Sequence, residues 1–184
     1  GLMIVSMGLG AFAAKLIKDP FTGFAWLESL IAICGVSCIL LIATFVGFSA
    51  VLPQVIAQTF ALPPDLVPSG GVLDLLHEIA TLSPYFFGVL IGFLIGMEIP
   101  LIARVRERVY GEHLEHNVGT IYGADYIGAG VGAALWVGIM LSLEITEAAV
   151  LTAIANLVAG MIFLTWYWQK IAWRKLLLGT HGLI

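Results

Sequence analysis

The sequence predicts an all-α protein, a polytopic transmembrane helix bundle with about five membrane helices, and three observations carry that prediction. Sixty per cent of the 184 residues are hydrophobic and only 11% are charged, whereas a water-facing domain keeps roughly a quarter of its residues charged. The apolar runs are long enough to cross a hydrocarbon core of ~30 Å, which takes about 20 helical residues. Finally, the basic residues follow only the first, third and fifth runs, which puts them all on one side of a multi-pass chain. The whole chain, 1–184, is read as one transmembrane domain.

The expected spans follow in order. The first is 1–17, stopped by Lys18, Asp19 and Pro20; the chain opens on Gly1 rather than Met, so this short run reads as a helix whose beginning lies upstream. No cleavable signal sequence is apparent. The second span is 24–52, ending before Pro53. The loop 53–78 holds Pro53, Pro63, Pro64 and Pro68 and the Gly70-Gly71 pair, with apolar stretches that suit short interfacial helices. The third span is 79–103, where Pro84 near the start is tolerable. A polar loop, 104–117, leads to the fourth span, 118–143, and the fifth, 146–168, runs into a basic tail, 169–184.

Lys15, Lys18, Arg104, Arg106, Arg108, Lys170, Arg174 and Lys175 are all the basic residues, and all fall on one side of this arrangement. The loops 53–78 and 143–146 carry none. The positive-inside rule assigns the basic side, and with it the loop 104–117 and the C-terminal tail, to the cytoplasm of a cell (inner) membrane, leaving 53–78 outside. Trp166, Tyr167, Trp168 and Trp173 cluster where the fifth helix leaves the membrane, as an interfacial aromatic belt does.

Gly88, Gly92 and Gly96 recur every four residues on the third helix, and Gly128 and Gly132 do so on the fourth. Helices in lipid associate by close van der Waals contact, which small residues permit. These stripes are expected to bring the third and fourth helices across one another. Cys34 and Cys38, also four apart, read as small packing residues.

Several function classes fall away. A net charge of −4 leaves no basic stripe for phosphates, so no nucleic acid partner is expected. The run from Gly128 to Gly132 lacks the strand and βαβ context of a nucleotide loop. Glu112, His113, Glu115 and His116 have the spacing of metal ligands, yet no second cluster completes a site, and they read as a solvated loop. No metal, cofactor or catalytic residue is expected.

Ionisable groups inside hydrocarbon are the functional candidates, because they are costly there unless paired or hydrated. Glu28, Glu98 and Asp125 each lie about six or seven residues from the basic end of their helix, roughly 9–11 Å deep at 1.5 Å per residue. Three acids on three helices therefore share one level. Pro100 frees a backbone carbonyl nearby, and Tyr122 and Tyr126 add hydroxyls. One reading makes this a cavity that binds a cation such as an organic amine. The other makes each acid a tie between helices, with Arg104 or Arg106 folding back to pair with it.

The segment from Gly96 to Ile102 (Gly-Met-Glu-Ile-Pro-Leu-Ile), with Asn117-Val118 and Asp125-Tyr126-Ile127-Gly128-Ala129, resembles the membrane domain of membrane-bound spermidine synthase-like proteins, the polyamine aminopropyltransferase family. Met7-Gly8-Leu9-Gly10, Trp26-Leu27-Glu28 and Ala155-Asn156-Leu157 fit the same pattern. The resemblance implies a membrane domain that precedes a cytosolic Rossmann-like aminopropyltransferase. The residues here contain neither a nucleoside-binding glycine loop nor a catalytic aspartate motif, so this chain is not expected to be catalytic by itself. What the resemblance adds is a candidate ligand, a polyamine held by Glu28, Glu98, Asp125, Tyr126 and Asn117. Alternatives are an accessory structural subunit of a larger membrane complex, with other subunits or a second copy as partner, and a small cation or amine transporter.

Overall fold

The computed structural model describes residues 1–63, 66, 68–111 and 114–183, with the side chains of 114–117 and 183 outside that description. Among the described residues every regular element is helical. Helix α1 is Leu2–Ala13, extended by a 3-10 turn at Ala14–Leu16; α2 is Pro20–Thr59, α3 Val72–Tyr110, α4 Leu114–Gly138 with a 3-10 turn at Met140–Ser142, α5 Ile145–Trp166 and α6 Arg174–Leu183. Four segments, Pro20–Thr59, Val72–Tyr110, Val118–Ser142 and Ile145–Trp166, are long and apolar enough to cross a membrane, and Leu2–Leu16 is a shorter apolar helix. The expectation of about five apolar helices holds.

The boundaries have local causes. Asp19 begins α2: its carboxylate accepts from the backbone N–H groups of Phe21 (3.2 Å) and Thr22 (3.3 Å), and Pro20 takes the first helical position. That satisfies two of the amides every helix start leaves unpaired. Gly70 and Gly71 turn the chain into α3 with φ of 94° and 59°, a region glycine enters without steric cost. Gly111 ends α3 in the left-handed conformation, its N–H donating to Glu107 O at 3.0 Å. Glu144 and Glu147 form a capping box at the start of α5.

Two helices are longer than the hydropathy runs suggest. Helix α2 continues seven residues past Leu52, through Pro53, and α3 starts seven residues before Ile79 and ends seven after Ala103. A proline deletes one i→i−4 hydrogen bond and leaves the flanking ones intact, so Pro53 does not end the helix. At 40 and 39 residues, α2 and α3 are each about 60 Å long, twice the hydrocarbon thickness.

Helices α3 and α4 do pack on one another, but not through the glycine faces expected to bring them together. Gly92 and Gly96 face α1: a Cβ at Gly92 would strike Ser6 Oγ and Met3, and one at Gly96 would strike the backbone of Met7. Gly10 reciprocates against the backbone of Phe93. Gly88 on α3, and Gly128 and Gly132 on α4, have open space above them. Sequence periodicity shows that a glycine face exists; it does not name the helix that meets it, and α1 supplies its own small residues. Helix α2 packs on α3 and α5, while α4 is little buried, with Ile127, Val131 and Val137 all exposed.

The core lies at the basic end of the bundle. Phe21, Ala25, Val105, Phe163, Leu164, Ile171 and Leu177 form one cluster; Ala14, Leu27, Ile31, Met97 and Leu101 form the other. The aromatic belt is here as well. The rings of Phe163 and Tyr167 lie 4.8 Å apart, and Lys170 Nζ and the Arg174 guanidinium sit over Phe21 and Trp168 at 5.1 and 5.3 Å. The basic tail is more than a trailing segment. It turns at Trp173 (φ 60°) and returns as α6 against α5 and α2.

Candidate functional site

Glu28 lies in the third turn of α2 and Glu98 in the turn of α3 preceding Pro100. Glu28 is 6% exposed and Glu98 half-buried, while Asp125 on α4 is exposed on the surface of the helices. Glu98 lies near enough to both Glu28 and Asp125 for their like charges to repel. The structure thus brings the three sequence-predicted acids into one electrostatic group, with Glu98 in the middle.

No described residue donates a hydrogen bond or an ion pair to Glu28, Glu98 or Asp125. Arg104, one candidate partner, is engaged elsewhere. Its guanidinium donates to the carbonyls of Ala14 (3.1 Å), Ile17 (2.7 Å) and Lys18 (3.2 Å). Those carbonyls lie at and beyond the end of the first helix, where backbone acceptors lack an intrahelical donor. Arg108 donates to Lys18 O at 3.2 Å and pairs with Asp19 at 3.6 Å. The Arg106 guanidinium lies over the Tyr110 ring at 5.1 Å. Arg104 and Arg108 therefore fasten α3 to the α1–α2 connection and leave the acids to other partners.

Tyr126 and Tyr122 are 74% and 46% exposed, on the same little-covered helix as Asp125. Asn117 belongs to α4, but its side chain lies outside the described residues, as do the side chains of the Glu112–His116 segment. Among the described residues no cluster of three or more His, Cys, Asp or Glu is arranged to hold a metal.

Three residues that sequence reasoning passed over complete the surroundings. His181 of α6 is 6% exposed, and its Nδ1 lies 2.8 Å from Leu177 O and 3.0 Å from Ser29 Oγ. Ser29 is the residue after Glu28 and is itself fully buried. Gly160 of α5 makes the junction close: a Cβ there would sit 2.6 Å from His181 Nε2 and 2.9 Å from Glu28 Cβ. No motif announces these three, because α6 reads in sequence as a polar tail. Their meeting depends on a turn that only the folded chain reveals.

One helical turn further from the basic end, a groove of about 390 Å³ opens between α2, α3, α4 and α5. It is lined by Ile31, Cys38, Ile95, Trp136, Thr152 and Asn156 among others. Ile31 and Ile95 are three residues from Glu28 and Glu98, and Asn156 is four from Gly160, so the apolar groove and the acidic level adjoin.

No family model matches the chain, and no solved structure matches it. Curated relatives do. A protein named polyamine aminopropyltransferase from Shewanella oneidensis is 60% identical over 181 residues, which cover 98% of this chain and 32% of that protein. Polyamine aminopropyltransferase 2 of Streptomyces coelicolor is 31% identical over 161 residues, covering 86% of this chain and 26% of its own length. Polyamine aminopropyltransferase 1 of the same organism is 25% identical over 172 residues, or 92% and 27%. The chain spans between about a quarter and a third of the length of these relatives. It therefore belongs to the polyamine aminopropyltransferase family, as a segment of apolar helices equivalent to about a quarter to a third of a member's length.

Proposed function

We propose that this chain is the integral membrane segment of a spermidine synthase-like protein, and that its acidic level binds a polyamine. Its place would be the cell membrane, crossed several times, with the basic end in the cytoplasm. There it would anchor a cytosolic aminopropyltransferase domain and hold or pass an amine.

The observation that carries the ligand is Glu28: a carboxylate on a nearly fully buried residue, without a hydrogen-bond or ion-pair partner among the described residues, beside a second carboxylate on Glu98. A charged group at the centre of a bilayer costs about 2.5–3.5 kcal/mol on insertion scales, more on others, and such groups persist where they bind something. Arg104 is committed to backbone carbonyls, so a tie between acids and that guanidinium does not account for them. A polyamine has ammonium groups separated by methylenes. Its charged end suits the acids, and its hydrocarbon suits the adjoining groove along Ile31 and Ile95.

The test is calorimetric binding of spermidine and putrescine to the full chain in lipid nanodiscs, at two salt concentrations, with Glu98→Gln alongside. The expected result is saturable binding weakened at least tenfold by the substitution. Absence of binding by the unsubstituted chain would reject the site and leave an anchor. A second reading, an accessory subunit whose contacts are made by α4, is favoured by the exposure of that helix and the open space over Gly128 and Gly132. Consistent co-purification with unrelated membrane subunits would support it.

A further inference from the structure

At 22 residues, α5 is about as long as the hydrocarbon core is thick. The turn that follows it, 167–173, therefore falls at the level of the headgroups. That turn is strained at Trp173, whose φ of 60° is a left-handed conformation unusual for a bulky side chain. Such a conformation persists where neighbouring contacts impose it. Here the Ala172 N–H donates to Thr22 Oγ1 at 2.9 Å, the Leu177 N–H donates to Trp173 O at 3.0 Å, and Ile171 is buried in the core. None of these contacts involves the indole, which is 74% exposed. The turn thus holds a large apolar ring outside the bundle, in a conformation that glycine would take more easily. Trp166, at the other end of the turn, is 80% exposed.

Charge at this end has one sign. From Ala148 to Ile184 the sequence holds Lys170, Arg174 and Lys175 and neither Asp nor Glu. Among the described residues the ammonium groups of Lys170 and Lys175 have no hydrogen-bond or ion-pair partner. Lys170 Nζ rests over the rings of Phe21 and Tyr167 at 5.1 and 6.0 Å, which leaves its donors directed at whatever lies outside. Arg174 gives one donor to Trp168 O at 3.1 Å, out of the five a guanidinium carries. Asp19, the acid at the neighbouring start of α2, is taken up by its helix cap and by Arg108. A cavity of about 320 Å³ opens at the turn, lined by Thr165, Trp166, Tyr167, Trp168, Gln169 and Lys170. At ~30 Å³ of liquid volume per water it is roomier than a water site. On α6, Leu177 is buried, while Leu176 and Leu178 are exposed on either side of it, next to Lys175.

We propose that the α5–α6 turn binds the headgroups of anionic phospholipids. Lys170, Arg174 and Lys175 take the phosphate charge, and the indoles of Trp166 and Trp173, with Leu176 and Leu178, enter the layer between headgroup and acyl chain. Cations interleaved with exposed indoles and leucines suit an interface that is charged above and apolar below. Each basic side chain at an anionic surface contributes about fivefold in affinity. Because α6 carries part of the contact, anionic lipid also favours its docked position, as any ligand of one state does. The proposal rests on the membrane reading above and is independent of the amine site.

Hydrogen exchange of residues 167–178 tests it, on the full chain in nanodiscs of phosphatidylcholine alone or mixed with phosphatidylglycerol. The mixed lipid is expected to slow that exchange at least fivefold, and phosphatidylserine should act as phosphatidylglycerol does. The double variant Lys170→Gln, Lys175→Gln should lose the difference between lipids. Lys15→Gln with Lys18→Gln, which removes the same charge elsewhere at the basic end, should keep it. Trp173→Gly suits the turn and deletes the indole, so it should leave α6 docked in phosphatidylcholine and reduce the effect of phosphatidylglycerol at least threefold. Equal exchange in both lipids would overturn the proposal, and so would equal losses in the two lysine pairs. Glycerol phosphate in solution that gave the same protection would overturn it as well, by showing a site for free phosphate. A chain that does not enter nanodiscs would instead reject the membrane reading itself.

Discussion

Single residues decide whether the acidic level can exist, and the sequence exposed some of them far better than others. Glu28, Glu98 and Asp125 could be singled out because a carboxylate inside an apolar run is costly wherever the helix turns, and helix arithmetic alone put them at one depth. Which of them would be enclosed could not be read this way, since burial depends on neighbours. Glu28 is covered by α5 and α6, whereas Asp125 lies on a helix with almost no cover. Gly160 had no spacing signal, yet it is the residue whose missing side chain lets His181 and Glu28 share a crevice. Gly160→Ala should therefore cost about 1–3 kcal/mol, the usual penalty for overfilling a packed site. The measurement is the thermal midpoint in nanodiscs, set against Gly123→Ala on α4, where a Cβ meets open space and no loss is expected. An equal shift in both would mean the crevice at Gly160 is roomier than described.

Among the helices, the pattern of small residues was legible and its meaning was not. The four-residue stripe on α3 predicts a close neighbour, and there is one, but it is α1 rather than α4. Gly10, Gly92 and Gly96 form a mutual contact in which backbone meets backbone, leaving no room for a Cβ on either side. Gly96→Leu should drive α1 off α3 and expose Ala14 and Met97, which now belong to one cluster. Gly128→Leu on the open face of α4 should leave the fold intact. Limited proteolysis of the two variants separates the cases: early cleavage near 14–20 is expected for Gly96→Leu only. Cleavage of both at the same rate would mean that α3 does not use its glycines to hold α1. The elongation of α2 and α3 beyond their apolar runs was hidden for a related reason. Hydropathy marks where lipid is, and helices continue into water when caps such as Gly111 allow them to.

For the molecule as a whole, the sequence supplied the class almost by arithmetic, and its eight basic residues, with none on the other side, point to one orientation. That orientation is a proposal with a direct check. Cysteine placed at Gln58, near the end of α2, should react with a membrane-impermeant maleimide applied to right-side-out vesicles, and cysteine at Gln169, beyond α5, should not until the vesicles are opened. The reverse pattern would invert the topology. The return of α6 was beyond the sequence, since its apolar and polar residues suit a helix lying on the bundle as well as one in solvent. Its docking also has a consequence in time. The crevice that receives His181 is walled by Ser29 of α2 and Gly160 of α5, and it forms only after those two helices lie side by side. During synthesis α6 leaves the ribosome after both of them, so the seat is assembled before its occupant arrives. The order of the helices along the chain is thus also a workable order of assembly.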